Sequence, residues 1–231
     1  MNEKLSTPQN APRLPPGQRA LAHLPRFGVA EFARRPLRNK DIHIEISAAP
    51  DRTVVITALE LGALTRITLT ADFHCAAGWS HRNTQWSGFR FTDIWNTFVT
   101  PIDSVNGNRL AVLRGQDGYR TALPLADLLA PDVLIADRLN DEPLTVEHGA
   151  PVRLIAPAHY GYKSAKHLSR IELRADDGTY RPLLPRILDH PRARVELEER
   201  GQFLPGWMLR YLFRPLIQPL IRKLERITTP E

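Results

Sequence analysis

The sequence predicts an α+β fold built around mixed β-sheets with short helices. Short apolar runs of strand character recur at irregular intervals, and no stretch keeps a helical period long enough for the helices of a doubly wound sheet. Twenty prolines among 231 residues, about twice the usual share of roughly 5%, break the chain into short pieces. A chain of this length can bury a sizeable core as one large or two small domains. The expected organisation is an extended N-terminal segment over 1–20, a main domain over 21–185 and a C-terminal extension with amphipathic helical segments over 186–231.

Each element has its own local signal. His43 to Ser47 reads as a strand, and Thr57-Ala58-Leu59-Glu60 has the capping-box spacing that starts a helical turn. In Arg66 to Phe73 the apolar residues Ile67, Leu69, Ala71 and Phe73 alternate, so they share one strand face. Thr92 is placed to cap a helix through Phe98. Leu110 to Leu113 is strand-like and runs into the turn Gln116-Asp117-Gly118. Leu125 to Leu129 suits one or two helical turns. The compact apolar runs Val133 to Asp137 and Val152 to Ala156 suit buried strands. Ile171 to Arg174, Asp177-Gly178 and Tyr180 read as a hairpin.

The formal charge is +6, with 42% hydrophobic and 24% charged residues. Such a balance is open to nucleic acid, acidic lipid, an acidic partner or an anionic cofactor. The cations form no long block and no aromatics interleave them, which argues against nucleic acid. Met1 to Gly17 is polar and proline-rich without the apolar core of an export signal, and no run approaches the roughly 18 apolar residues that span a bilayer. The expected location is the cytoplasm, whose reducing conditions suit a free thiol.

Cys75 is the only cysteine. It follows the alternating run in Phe73-His74-Cys75-Ala76-Ala77-Gly78-Trp79-Ser80, with Trp86-Ser87-Gly88-Phe89 beyond. Alone, it makes no intramolecular disulfide and no four-cysteine zinc cage, which leaves a single soft ligand, a nucleophile or an apolar filler. A hydrolase pairing Cys75 with His74 is disfavoured, because adjacent strand-end side chains point to opposite faces. A second cluster runs His148-Gly149-Ala150-Pro151-Val152-Arg153, then Tyr160-Gly161-Tyr162-Lys163-Ser164-Ala165-Lys166. It offers a guanidinium, two ammonium groups, a hydroxyl and loop amides, which can cradle an anion or simply be solvated. Its spacing is not that of a Walker A loop.

Together, Cys-x-x-Gly-Trp-Ser with Trp-x-Gly, and Gly-Ala-Pro-Val-Arg-Leu followed by Tyr-Gly-Tyr-Lys-Ser-Ala-Lys, resemble the molybdopterin-binding domain of the sulfite oxidase family. The small bacterial members, sulfite-oxidase-like oxidoreductases and sulfoxide-reductase catalytic subunits, are the most similar. Arg13-Leu14-Pro15-Pro16-Gly17-Gln18, Asp117-Gly118-Tyr119 and Glu142-Pro143-Leu144 extend the resemblance over roughly residues 12 to 180.

The resemblance implies the sulfite-oxidase fold and a Mo-molybdopterin cofactor whose metal is ligated by Cys75. It places Tyr160 near the metal, as a catalytic residue beside Cys75. It also implies that His148, Arg153, Lys163, Ser164, Ala165 and Lys166 bind the cofactor, His148 standing where the sulfoxide-reductase subunit has asparagine and Lys163 where sulfite oxidases have arginine. Arg26-Phe27-Gly28 corresponds to a further cofactor-contacting turn.

The implied activity is transfer of an oxygen atom to or from a small substrate, sulfite or an S- or N-oxide. Arg82, Arg90 and His81 are the candidates for a dianion, and Trp79 and Trp86 for an apolar wall. A redox partner, such as a cytochrome, is expected. A non-catalytic anion- or partner-binding protein of the same fold is the alternative. From Trp207 to Ile227, apolar residues at helical spacing alternate with arginines, and Pro215 and Pro219 interrupt them. This tail suits helices packed on the domain or, more sharply, a peripheral membrane contact.

Overall fold

In the computed structural model, residues 13–25, 41–49, 51–101, 109–175, 180–182, 186–219 and 221–222 are described. Two mixed sheets carry them. The first holds β1 (Arg19–Leu21), β4 (Ile67–His74), β5 (Trp79–Arg90), β8 (Leu134–Leu139), β9 (Glu142–Pro143) and β10 (Arg153–Ile155). The second runs β3 (Arg52–Thr57), β2 (His43–Ala49), β11 (Leu168–Arg174), β6 (Leu110–Gly115), β7 (Arg120–Pro124). Among the described residues four short α-helices decorate them: α1 (Ala58–Gly62), α2 (Phe91–Ile94), α3 (Leu125–Leu128) and α4 (Gly206–Phe213).

Alternation decides what each strand buries. In β8, Ile135 joins a core shared with the second sheet, where Ile44, Ile46, Leu113 and Ile171 meet it, whereas Leu134 and Ala136 join Trp86 and Ile155 on the opposite side. A strand buried on both faces reads as an unbroken apolar run, which is why 133–137 lacks alternation. β5 is twelve residues long and serves three neighbours. β4 lies antiparallel along one edge, while the other edge takes β1, in parallel at Trp79 to His81, and then β8.

Close approach at the β5–β8 bulge demands Gly88, since a Cβ there would lie 2.1 Å from the Ile135 carbonyl oxygen and 2.7 Å from the Ala136 Cα. Backbone cannot yield as a side-chain tip can. Gly88→Ala should therefore lower stability by about 1–3 kcal/mol. A urea titration checks this, the midpoint falling with an unchanged slope.

The capping box at Thr57 forms as expected, with Thr57 Oγ1 accepting from the Leu59 N–H at 3.2 Å and Glu60 accepting from the Thr57 N–H at 2.9 Å. Thr92 is a correction. The helix begins two residues earlier, with Arg90 at the cap, because the Phe91 N–H finds the Val133 carbonyl at 2.9 Å. It then widens into a π-helical turn over Trp95–Val99. The hairpin expected through Tyr180 is also corrected. Both edges of β11 are occupied, by β2 in parallel and by β6 in antiparallel pairing, so no further strand can join it. Asp177 and Gly178 lie outside the described residues.

Packing continues across the boundaries expected at 20 and 185. β1 spans residues 19 to 21, and residues 186–200 are stitched down by a His159–Arg194 bridge and by Arg192 Nε on Asp127 at 2.7 Å. Among the described residues no helix is long and apolar enough to cross a membrane.

Candidate active site

Cys75 sits in a tight turn immediately after β4. Its N–H donates to the Trp79 carbonyl at 2.8 Å, and its own carbonyl accepts from the Gly78 N–H at 3.0 Å and from Gln18 Nε2 at 3.1 Å. Gly78 makes the turn with φ +110°, a conformation that side chains with a Cβ rarely adopt. Gln18 is fixed at its other end by Ser80 Oγ, which donates to Oε1 at 3.0 Å and also bonds His74 Nδ1 at 2.7 Å. His74 is therefore committed to Ser80, not to the thiol. Burial among Trp79, Ala77, Phe73, Ile217 and Ile221 pushes the Cys75 thiol up to about 12, opposed by the Ala77 N–H and by the Arg200 charge.

Tyr160 is brought to the same place from the far side. Its ring packs on Ala76, the residue after Cys75, and its N–H is pinned to the Ala193 carbonyl at 2.8 Å. The hydroxyl is buried and meets no well-oriented partner among the described residues, Gln18 approaching it without hydrogen-bond geometry. Burial raises Tyr160 to about 12, so it is a proton donor, not an anion, at neutral pH.

Arg200 completes this pocket and was not anticipated. Its guanidinium is wholly buried, lies 5.1 Å from the Tyr160 ring, and donates to the Ala76 carbonyl at 2.5 Å and the Pro16 carbonyl at 2.8 Å, with Glu198 as counter-ion at 3.2 Å. In sequence, Glu198-Glu199-Arg200 looks like a solvated charged run. Only the fold carries it 124 residues back to the cysteine turn.

The second cluster folds into two loops stitched side by side. Arg153, 2% exposed, lies over the rings of Phe73 and Trp86 at 5.3 and 5.0 Å. Its two terminal nitrogens donate to the His148 carbonyl at 3.0 Å and the Ser164 carbonyl at 3.2 Å. His148 thus meets Arg153 through its backbone. Ser164 Oγ accepts from the Ala156 N–H at 3.2 Å, and the carbonyl of buried Ala165 accepts from Leu154 at 2.9 Å. Lys166 Nζ donates to the Glu147 carbonyl at 2.5 Å. Phe73 links this cradle to the thiol, two residues before Cys75 and 6.1 Å from the Trp79 ring.

Lys163 stands apart from the cradle. Its ammonium is buried and faces the other way, donating to Asp189 at 2.9 Å and to the Ala122 carbonyl at 2.8 Å. In this structure Lys163 serves a buried ion pair with Asp189, the role its partners show. Burial lowers its pKa and Asp189 opposes the shift. The remaining candidates are also engaged or distant from charge chemistry. Arg82 lies 3.7 Å from Asp72, His81 Nδ1 bonds Thr84 at 2.7 Å, and Arg90 is exposed at the end of β5. Trp79 and Trp86 are core residues, the former packed beside Cys75 and the latter under Arg153. Arg26 to Gly28 lie outside the described residues.

The donor set limits what can bind. Among the described residues no three His, Cys, Asp or Glu side chains converge on a common point. A metal held by Cys75 must then bring most of its ligands with it, as an anionic metal cofactor does, and a soft thiolate suits a metal of that kind. The unmet Tyr160 hydroxyl and the cationic loops fit such a group. Mixed sheets that set a single thiol beside two cationic loops fit a protein that holds an anionic, metal-bearing cofactor.

Comparison with known proteins agrees. Residues 32–180 match the oxidoreductase molybdopterin-binding domain, and the chain belongs to that family. It is a molybdopterin-binding oxidoreductase of the sulfite oxidase type. The uncharacterized oxidoreductase YuiH of Bacillus subtilis is 30% identical over 165 residues, covering 71% of this chain and 81% of that protein. The mitochondrial sulfite oxidase of Drosophila melanogaster is 30% identical over 57% of this chain, and the NADH nitrate reductase of Volvox carteri 32% over 55%. This chain spans only 27% and 18% of those two longer proteins. The sulfane dehydrogenase SoxCD of Paracoccus pantotrophus shares the fold, with a TM-score of 0.52 and 21% identity over 61% of this chain and 40% of that one.

Proposed function

We propose that the protein transfers an oxygen atom to or from a small substrate, sulfite or an S- or N-oxide, at a molybdopterin centre ligated by Cys75. The observation that supports this most is the convergence of the thiol, the unmet Tyr160 hydroxyl and the Arg200 charge on one turn beside the Arg153 cradle. When bound, the cofactor supplies two-electron redox chemistry and the oxygen-exchanging metal. The chain supplies everything else.

Arg153 and Lys166, which now donate to backbone carbonyls that an anion can displace, would hold the anionic part of the cofactor, with Ser164, Ala165 and His148 on the same loops beside it. Cys75 gives up its proton on metal binding, because only the thiolate ligates. Arg200 and the Ala77 N–H favour that thiolate. Tyr160 donates its hydroxyl proton as a hydrogen bond into the site, and Trp79, Phe73 and Ile217 exclude water around the thiol. A cytochrome or similar carrier takes or returns the electrons, and the reducing cytoplasm preserves the free thiol.

Protein made in a molybdopterin-competent host should carry near-stoichiometric molybdenum and pterin. It should also turn over sulfite or a sulfoxide with artificial electron carriers. Trace molybdenum in well-folded protein from that host would sink the proposal.

A further inference from the structure

The C-terminal segment carries apolar side chains on two opposite sides, and only one of them is covered. In α4, Leu209 is buried, whereas Trp207, Met208, Tyr211 and Leu212 are 54, 41, 59 and 61% exposed. These four stand at i, i+1, i+4 and i+5, so they form one continuous outward face. The 3₁₀ turn Arg214–Leu216 continues it through exposed Leu216, while Ile217 and Ile221 turn inward onto Trp79, Cys75 and Ala77. A helix apolar nearly all round normally has neighbours on every side. Here half of it faces outward.

Charge identifies the occupant. From Gly201 to Leu224 there is no aspartate or glutamate, but Arg210, Arg214, Arg222 and Lys223 are present. Arg214 and Arg222 are exposed, and the nearby carboxylate of Glu198 is already engaged by Arg200 and Arg210. A second copy of the chain docking through this same face would set arginine against arginine, with Glu225 the one acid from Trp207 to Ile227 against Arg210, Arg214, Arg222, Lys223 and Arg226. An anionic lipid surface meets every part of the pattern. Leu and Met enter the acyl boundary, Trp and Tyr sit at headgroup level, and arginines reach lipid phosphates along their aliphatic stems. We infer that this segment docks the protein on anionic membranes, lying in the interface without crossing it.

The docked face and the cysteine turn belong to one short piece of chain. Leu216 points outward and Ile217, next to it, packs beside Cys75. Membrane docking thereby sets the site at the bilayer surface, within reach of a membrane-held electron carrier, a consequence that rests on the redox function proposed above. Vesicle binding does not depend on it and is read without turnover.

Full-length protein is sedimented with vesicles of phosphatidylglycerol and phosphatidylethanolamine, and separately with phosphatidylcholine alone. Binding should be strong to the first, weak to the second and reduced by salt. Arg214→Gln and Arg222→Gln should each weaken anionic-vesicle binding about fivefold. Trp207→Ser with Leu212→Ser should weaken it roughly tenfold or more without lowering thermal stability, because neither side chain is in the core. Brominated lipid should quench part of the tryptophan emission, and Trp207→Phe should remove that quenching while the protein still sediments. Negligible binding to both vesicle types, binding indifferent to all four substitutions, or a concentration-dependent dimer abolished by the Trp207 and Leu212 changes would each overturn the inference.

Discussion

Replacing Cys75 with serine is expected to leave the fold standing and to remove catalysis. The side chain is nearly isosteric, and its neighbours Trp79, Ile217 and Ile221 keep their own packing, so the cost to stability is about 1 kcal/mol for placing a hydroxyl among apolar atoms. The effect on the proposed oxygen transfer is of another order. Changing a group that only supports a metal ligand typically costs roughly 10–100-fold, and Cys75 is proposed as the ligand itself. Serine oxygen is hard, and a serine proton is far harder to remove than a thiol's. Thermal unfolding within a few degrees of the parent, with molybdenum-dependent turnover at background, is the expected pair of results. Retained turnover in the serine variant would remove Cys75 from the metal.

Lys163→Met is expected to destabilise the protein by about 3–5 kcal/mol. The ammonium is buried against Asp189, itself 6% exposed, and deleting it strands a carboxylate away from water, with the Tyr180 hydroxyl still 3.4 Å from it. Removing both charges behaves differently. Lys163→Met with Asp189→Leu leaves no uncompensated ion, and such replacements are often neutral or stabilising. The double variant should therefore regain most of the lost stability in a denaturant titration. It should also keep its pterin, on the reading that the ammonium's role is the Asp189 ion pair. A double variant that is stable but free of pterin would restore Lys163 to the cofactor.

Much of the fold was legible locally. The alternation of Ile67, Leu69, Ala71 and Phe73 marked β4, the unbroken run 133–137 marked a strand buried on both faces, and Thr57 to Glu60 announced its own cap. Misreadings arose where a distant backbone took over a local role. Thr92 has a capping side chain, yet the Val133 carbonyl supplies the first partner of the helix. Ile171 to Arg174 has hairpin chemistry after it, yet β2 and β6 already fill both edges. Local propensity cannot register such competition, because the winning partner is far away in sequence.

The site divides along the same line. By itself the sequence determined that one thiol stands at a strand end, that arginine, lysine and serine recur in a glycine-bearing loop, and that both motifs resemble one cofactor-binding family. Those features depend on residue type and short spacing. Only the tertiary structure decided that Lys163 is spent on Asp189, that Arg200 crosses the molecule to grip the Ala76 carbonyl and cover Tyr160, and that the tail seats Ile217 beside Cys75 while leaving Trp207 and Leu212 outside. A charged side chain's role is fixed by which opposite charge, carbonyl or ring the fold brings within a few ångströms, and a buried guanidinium reads in sequence like an exposed one.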